Sequence, residues 1–163
     1  ISQNRNFENL RYEGFGPFST AFIIETLTDN KNRSASSIRT VLQKNGGRLG
    51  ESGSTSHFFF NCGVIHIDSK KFNEEEIFDF ATNFGAKDCL NLGNVHEIIS
   101  EKEDFYKIKS SLEKKFYNFE YSAIEWRAKN YIELSKEHQM KIFQIIESLE
   151  DLDDVQNIYT NAN

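Results

Sequence analysis

The sequence predicts an α+β protein built from two small ferredoxin-like α/β sandwich domains, one inserted in the other. Apolar runs with strand character alternate with amphipathic helical stretches along the 163 residues. Over residues 63–126 they give β-α-β-α-β, which is most of a ferredoxin-like unit. A short apolar strand at 155–159 then needs a sheet, and the nearest incomplete one is the N-terminal β-α-β. We therefore expect an outer domain, 1–62 with 135–163, and an inserted domain, 63–134.

The N-terminal part of the outer domain is expected to begin with a polar connecting tail over residues 1–11. The run AFIIETL at 21–27 is rich in β-formers and indicates a buried strand. The run STSHFFFNC at 54–62 is typical of another strand. Between the two strands the periodicity predicts a helix over 34–45.

This helix has start and stop signals. Ser34 is the predicted N-cap. The predicted core stripe has i, i+3, i+4 spacing and consists of Ile38, Val41 and Leu42. Gly46 and Gly47 supply the positive φ that ends the helix. Turn-forming residues also frame the neighbouring segments, namely Gly14, Gly16 and Pro17 before the first strand and Gly50 and Gly53 after the helix.

The inserted domain is predicted from five further segments. They are a strand at 63–68, a helix capped by Asn73, a strand at 95–100, a helix over 104–115 and a strand at 119–126. The face of the first of these helices is expected to consist of Ile77, Phe78, Ala81 and Phe84. A last helix begins after Ser135 and presents the apolar stripe Ile142, Ile145, Ile146 and Leu149.

Charge is the most informative feature for function. Between Asn30 and Gly50 the chain has no Asp or Glu and five cations, which are Lys31, Arg33, Arg39, Lys44 and Arg48. Because the whole chain carries −6, the rest of it sums to −11. Asn30, Asn32 and Ser34 add side chains of types that commonly contact phosphates. They lie at the start of the helix, and a helix N-terminus also attracts anions. This basic island is a candidate phosphate-binding surface, and the alternative is that it docks against acidic residues such as those at 151–154.

Three motifs resemble the YebC family of bacterial proteins, which is related to the mitochondrial translational activator of cytochrome oxidase. They are YEGFGP at 12–17, ETLTDNKNRSASSIRTVLQKNGGRLGESGS at 25–54 and the ending LEDLDDVQNIYTNAN. The resemblance runs from about Asn9 onward and implies one α+β domain inserted in another. The chain departs from the pattern at Phe18-Ser19, where family members usually have two small glycines.

Composition bounds the class of protein. Apolar residues make up 38% of the chain, which suffices for a packed core, and the charged fraction of 27% is ordinary for a soluble surface. No apolar run approaches membrane-spanning length. Cys62 and Cys89 lie far apart, which favours a reducing compartment and predicts a cytoplasmic protein. Because the chain begins with Ile, we expect a fragment lacking the Lys- and Arg-rich N-terminal helical domain that the family carries.

The sequence predicts neither an enzyme nor a bound cofactor. The four histidines, His57, His66, His96 and His138, show no metal-ligand spacing, and no P-loop, G-x-S-x-G or dinucleotide fingerprint occurs. No small-molecule substrate or membrane partner is expected.

The resemblance instead implies a non-enzymatic regulator of gene expression, a DNA-binding probable transcriptional regulatory protein. One alternative is a translation factor that binds ribosomal or messenger RNA, with the ribosome as a partner, and assists synthesis of particular nascent chains. The other is a protein-interaction module without nucleic-acid contact.

Overall fold

The computed structural model describes residues 6–116 and 119–163, and its contacts divide the chain into two compact units. The outer unit comprises the residues up to Phe60 together with Arg127–Asn163, and the inner unit is Asn61–Trp126. The described residues form two four-stranded sheets and four α-helices, so the predicted α+β class is confirmed. Within these ranges every helix is too short or too polar to cross a bilayer.

In chain order the elements are β1 (Glu8–Phe15), β2 (Ala21–Thr28), α1 (Lys31–Lys44), β3 (Arg48–Leu49), β4 (Phe59–Asp68), α2 (Glu74–Asn83), β5 (Asp88–Asn91), β6 (Val95–Glu101), α3 (Phe105–Phe116), β7 (Tyr121–Ala128), α4 (Lys136–Glu150) and β8 (Val155–Thr160).

The sheet of the outer unit has the strand order β3-β1-β2-β8. The C-terminal strand pairs antiparallel with β2, placing Ile158 opposite Ile24, so the expected partner of the last strand is confirmed. The core of the unit is formed by buried side chains of β2, α1 and α4, which are Phe22, Ile24, Ile38, Leu42, Ile142, Ile145 and Leu149. The apolar stripes of both helices therefore face the sheet as their spacing predicts.

Two predictions about this unit are wrong. Residues 8–11 of the predicted connecting tail belong to β1, which pairs with β2 over eight positions although it is a polar strand without strong apolar alternation. Residues 1–5 of the predicted tail lie outside the described residues. The helix begins at Lys31 with Asn30 as its N-cap, since Asn30 Oδ1 accepts the backbone N–H of Arg33 at 3.0 Å. Ser34 lies inside the helix.

The inner unit has the element order β-α-β-β-α-β of a ferredoxin-like unit, with the sheet order β5-β6-β4-β7. Its core packs two helices on the sheet through Ile65, Ile67, Ile77, Ala81, Ile98, Phe105, Ile108, Leu112 and Phe116. The sequence predicts no strand at β5, which is only four residues long, and it predicts two strands where the structure has the single strand β4. It also predicts that Phe78 and Phe84 lie on the apolar face of α2, whereas both are exposed.

The chain returns to the outer unit eight residues earlier than expected, at Arg127 rather than at Ser135. Backbone hydrogen bonds account for the difference. Lys129 N–H donates to the carbonyl of Phe58 at 2.9 Å, and Ile132 N–H donates to that of Asn161 at 2.8 Å. The segment after β7 is thus bonded to the outer unit before α4 begins.

Candidate nucleic-acid interface

The basic island lies mainly on α1 and on the loop that follows it. Ser34, Ile38 and Leu42 are buried on one side of the helix. Four exposed residues recur at i, i+4, i+7 and i+11 on another side, which are Asn32, Ser36, Arg39 and Gln43. This polar stripe combines a cation with uncharged hydrogen-bonding groups.

Arg33, in the first turn of α1, binds two carboxylates of its own chain. Its Nε and Nη2 atoms donate to Asp154 Oδ2 and Oδ1 at 3.1 and 2.8 Å, and Nη2 also donates to Asp29 Oδ1 at 2.8 Å. Hydrogen bonds with Asp154, and then with Asp29, raise the pKa of the guanidinium. Bidentate pairing of this kind is among the stronger charged contacts. Arg33 therefore follows the alternative interpretation of the basic island, in which its cations dock against the acidic residues at 151–154.

Ser34 completes the same network. It is 2% exposed, and its Oγ lies 2.6 Å from Asp154 Oδ2 and 2.8 Å from Thr28 Oγ1. The hydrogen bond from Arg33, which outweighs partial burial, lowers the pKa of Asp154, and the bond from Ser34 adds to the effect. A buried serine that is satisfied internally cannot reach a phosphate, so Ser34 leaves the set of candidates.

The other predicted contacts remain on the surface. Lys31, Arg39 and Lys44 are exposed, and none of the ion pairs found among residues 6–116 and 119–163 involves them. The guanidinium carbon of Arg48 lies 4.3 Å from the centroid of the Phe15 ring, a cation–π distance that holds this side chain beside the end of β1. Asn30 is exposed but serves as the helix cap. The island thus separates into an internal part and a solvent-facing part.

The predicted turn residues gather around the second half of β1. Gly14 lies opposite Leu49 of β3, and a Cβ on Gly47 would overlap the carbonyl oxygen of Phe15. Gly14 therefore lies within a strand and not in the predicted turn. Gly16 and Pro17 open the β1–β2 turn, and Gly46, with φ of 80°, ends α1. Gly50 N–H donates to the carbonyl of Glu13 at 2.8 Å, which folds the loop back on β1.

Glu13 anchors this loop, a role that the sequence pattern does not predict. The residue is 1% exposed, and its carboxylate accepts the backbone N–H groups of Gly53, Thr55 and Ser56 at 2.8, 3.0 and 2.6 Å. Burial alone would raise its pKa, but these backbone bonds prevail and lower it. The available signal was a glutamate next to Gly14, in a polar strand whose pattern does not indicate which of its side chains are buried.

The turn between β1 and β2 has two successive residues in the left-handed region. Phe18 has φ of 64° and Ser19 has φ of 61°, and Thr20 N–H donates to the carbonyl of Pro17 at 3.3 Å. Two positive φ values in a row match a type I′ turn, which normally uses Asn and Gly. The ring of Phe18 stacks on that of His138 with centroids 3.6 Å apart. The position where the chain departs from the family motif is therefore a strained turn held by a ring stack.

Comparison with protein families matches this architecture. The model of the family described as TACO1/YebC second and third domain matches residues 7–162. The chain belongs to this family. It corresponds to the second and third domains, and the resemblance seen in the motifs is confirmed.

Curated relatives extend the comparison, and each bears the name "Probable transcriptional regulatory protein". One from Pelagibacter ubique is 44% identical over 100% of this chain and 68% of its own length. One from Zymomonas mobilis is 41% identical over 96% and 63%, and one from Caldicellulosiruptor bescii is 39% identical over 95% and 64%. The chain thus spans about two thirds of the length of the curated relatives it matches. Their names support a regulatory role.

A solved structure shows the same arrangement. The crystal structure of a conserved hypothetical protein from Aquifex aeolicus aligns with a TM-score of 0.86 at 34% identity. The alignment covers 100% of this chain and 68% of that chain. The two-unit α+β fold is therefore shared with an experimentally determined relative.

Proposed function

We propose that this chain is part of a non-enzymatic, DNA-binding regulator of gene expression that contacts the phosphate backbone through the exposed part of the basic island. The observation that carries the proposal is the separation within the island. Lys31, Arg39 and Lys44 point to solvent without an intramolecular ion pair among the described residues, on an otherwise acidic chain. Arg33 and Ser34 belong to the internal network and have no part in binding.

Contacts of this kind position a protein on nucleic acid without reading its sequence. The exposed stripe on α1 consists of one cation and three uncharged residues. Recognition of bases would therefore have to come from another part of the protein. Overall charge also matters, because a chain of −6 gains little from long-range attraction to DNA. Local contacts along α1 would supply the affinity.

A second candidate is contact with structured RNA, including the ribosome. Asn32 and Ser36 precede Arg39 along the exposed stripe and Gln43 follows it. Such amide and hydroxyl groups can bond the ribose 2′-hydroxyl that DNA lacks. A small polar and basic surface on an acidic body suits a folded RNA whose phosphates are already concentrated. This candidate keeps the same residues and changes only the ligand.

The test uses two variants that separate binding from folding. R39E/K44E should weaken binding about equally across sequences and flatten the slope of log affinity against log salt by about one unit for each phosphate that the protein no longer neutralises. Its stability should change by less than about 0.5 kcal/mol, because both side chains are exposed. R33E should lower the melting temperature and leave affinity unchanged. K70E/K71E, in the inner unit, is the charge-matched control and should bind as the wild type does.

Binding should be measured with promoter-length duplex DNA, with a structured RNA and by co-sedimentation with ribosomes, all at the same salt. Selective retention of duplex DNA supports the first candidate, and selective retention of RNA or ribosomes supports the second. Equal affinity of R39E/K44E and wild type for every ligand would contradict both candidates. The protein-interaction alternative would then be favoured.

A further inference from the structure

The outward side of α4 carries an apolar centre that its own unit leaves uncovered. Met140 is 65% exposed and Phe143 is 60% exposed, whereas Ile142, Ile145 and Leu149 fill the core on the other side of the helix. Large apolar side chains clustered on a solvent-facing helix commonly mark an interaction surface. This face is remote in sequence from the basic island, and its interpretation does not depend on the function proposed above.

One shallow groove runs along this face, and its lining residues are Lys136, Gln139, Met140, Phe143, Gln144 and Glu147. We call this set the α4 stripe. All six residues are exposed. None of the ion pairs found among the described residues involves Lys136 or Glu147. The stripe thus has a cation at one end, an anion at the other and apolar side chains between them.

The α4 stripe is complementary to itself in the antiparallel direction. It is symmetric about the midpoint between Lys141 and Ile142. When a second copy is rotated by 180° about that point, Lys136 faces Glu147 of the other copy, Gln139 faces Gln144, and Met140 faces Phe143. A two-fold interface requires this kind of self-matching, in which residue i meets residue j and j meets i.

We propose that the α4 stripe binds a second copy of this chain as an antiparallel helix pair. A crossing angle of about 20° keeps the whole stripe in contact. The apolar centre supplies the affinity, and the two Lys136–Glu147 pairs at the ends set the orientation, as charges at the rim of an interface commonly do. A parallel pair would bring Lys136 against Lys136 and is disfavoured.

A neighbouring groove supports the fit of a partner's side chains. It lies on the Phe143 side of α4, and Leu134, Ile146 and Ala162 contribute to a lining that is almost wholly apolar. An apolar side chain from the other copy can enter this groove beside Phe143. One helix face buries less surface than a standard stable interface, so the dimer is weak and its formation depends on concentration.

Sedimentation of the full chain over a range of concentrations tests the proposal. The average mass of the wild type should rise toward that of a dimer. F143S should reduce the association constant by at least about tenfold, because it removes the aromatic ring of the apolar centre from both copies of the dimer. F78S, which truncates an exposed phenylalanine on α2, is the matched control and should associate as the wild type does. Circular dichroism melts of both variants verify that they are folded.

Charge reversal tests the orientation. K136E alone places Glu against Glu, and E147K alone places Lys against Lys, so each variant should remain monomeric. The double variant K136E/E147K should associate again. An equimolar mixture of the two single variants should form a heterodimer, because every end pair is then attractive. A monomeric wild type at all concentrations, undiminished association of K136E, or failure of the mixture to associate would each overturn the proposal.

Discussion

The N-terminal ends of α1 and α2 meet the same electrostatic requirement in opposite ways. Both helices are capped by asparagine, since Asn30 accepts the N–H of Arg33 at 3.0 Å and Asn73 accepts that of Glu75 at 2.8 Å. The first turn of α2 carries three glutamates, which suit the positive end of the helix dipole. The first turn of α1 carries no acid, and its anion, Asp154, comes from the segment before β8.

The two units also differ in the residue types that occupy positive-φ positions and in net charge. In the inner unit the described residues with positive φ are both glycines, Gly85 and Gly93, whereas in the outer unit Phe18 and Ser19 adopt positive φ in addition to two glycines. The inner unit carries a net charge of −5, and the outer unit carries −1. The inner unit therefore agrees with local sequence preferences, while the outer unit departs from them and compensates through long-range contacts. Departures of this kind tend to collect near functional surfaces.

The largest effect is expected at Glu13, the buried anchor of the outer unit. E13Q should lower the free energy of unfolding by about 3 kcal/mol, because an amide offers one oxygen where the carboxylate offers two to converging N–H donors. The pKa of Glu13 is lowered in the folded state, so its contribution is present above the ordinary glutamate pKa and is lost as the pH falls through the folded value.

Urea unfolding from about pH 7 down to about pH 3 measures this contribution. The difference in stability between wild type and E13Q should shrink with falling pH. E51Q, an exposed neighbour in the same loop, should behave as the wild type does. A difference between wild type and E13Q that stays constant with pH would show that Glu13 is not ionised in the folded protein.

A smaller loss is expected at Asp154, which supplies the anion that the first turn of α1 lacks. D154A should destabilise the protein by about 2 kcal/mol, since it removes the carboxylate shared by Arg33 and the buried Ser34. Thermal and urea unfolding of D154A and of D153A, whose side chain is exposed, provide the comparison. If the two variants melt alike, the network does not compensate for the missing acids of α1.

The smallest effect is a gain of stability at the strained turn. S19G should raise the free energy of unfolding by about 1 kcal/mol, because glycine adopts positive φ without the clash that a Cβ causes. Its counterpart in the inner unit, G85A, should lose about the same amount, since Gly85 already has φ of 89°. Chemical denaturation of both variants measures the contrast. Destabilisation by S19G would mean that the serine side chain holds the turn.

Much of the architecture follows from local pattern alone. The 3.6-residue spacing of Ile38 and Leu42, and of Ile142, Ile145 and Leu149, places the core faces of α1 and α4 correctly. The family motifs at 12–17 and 25–54 likewise identify the family. Such features can be predicted because a helix face or a turn depends only on residues within a few positions of one another. The polar strand β1 and the short strand β5 escape such reasoning, because hairpin pairing with the strand that follows, rather than an apolar pattern of their own, defines them.

Five cations lie together near one helix with no acid among them, and this is visible in the order of the residues. Which of these cations remain available to a ligand depends on the folded chain. Arg33 and Arg39 are equivalent by charge and exposure, yet Arg33 binds Asp154, which is 121 positions away along the chain. The partner of a charged side chain depends on contacts that form when remote segments meet, and no periodicity encodes those contacts. The same holds for Glu13, whose loop donors lie 40 to 43 positions away.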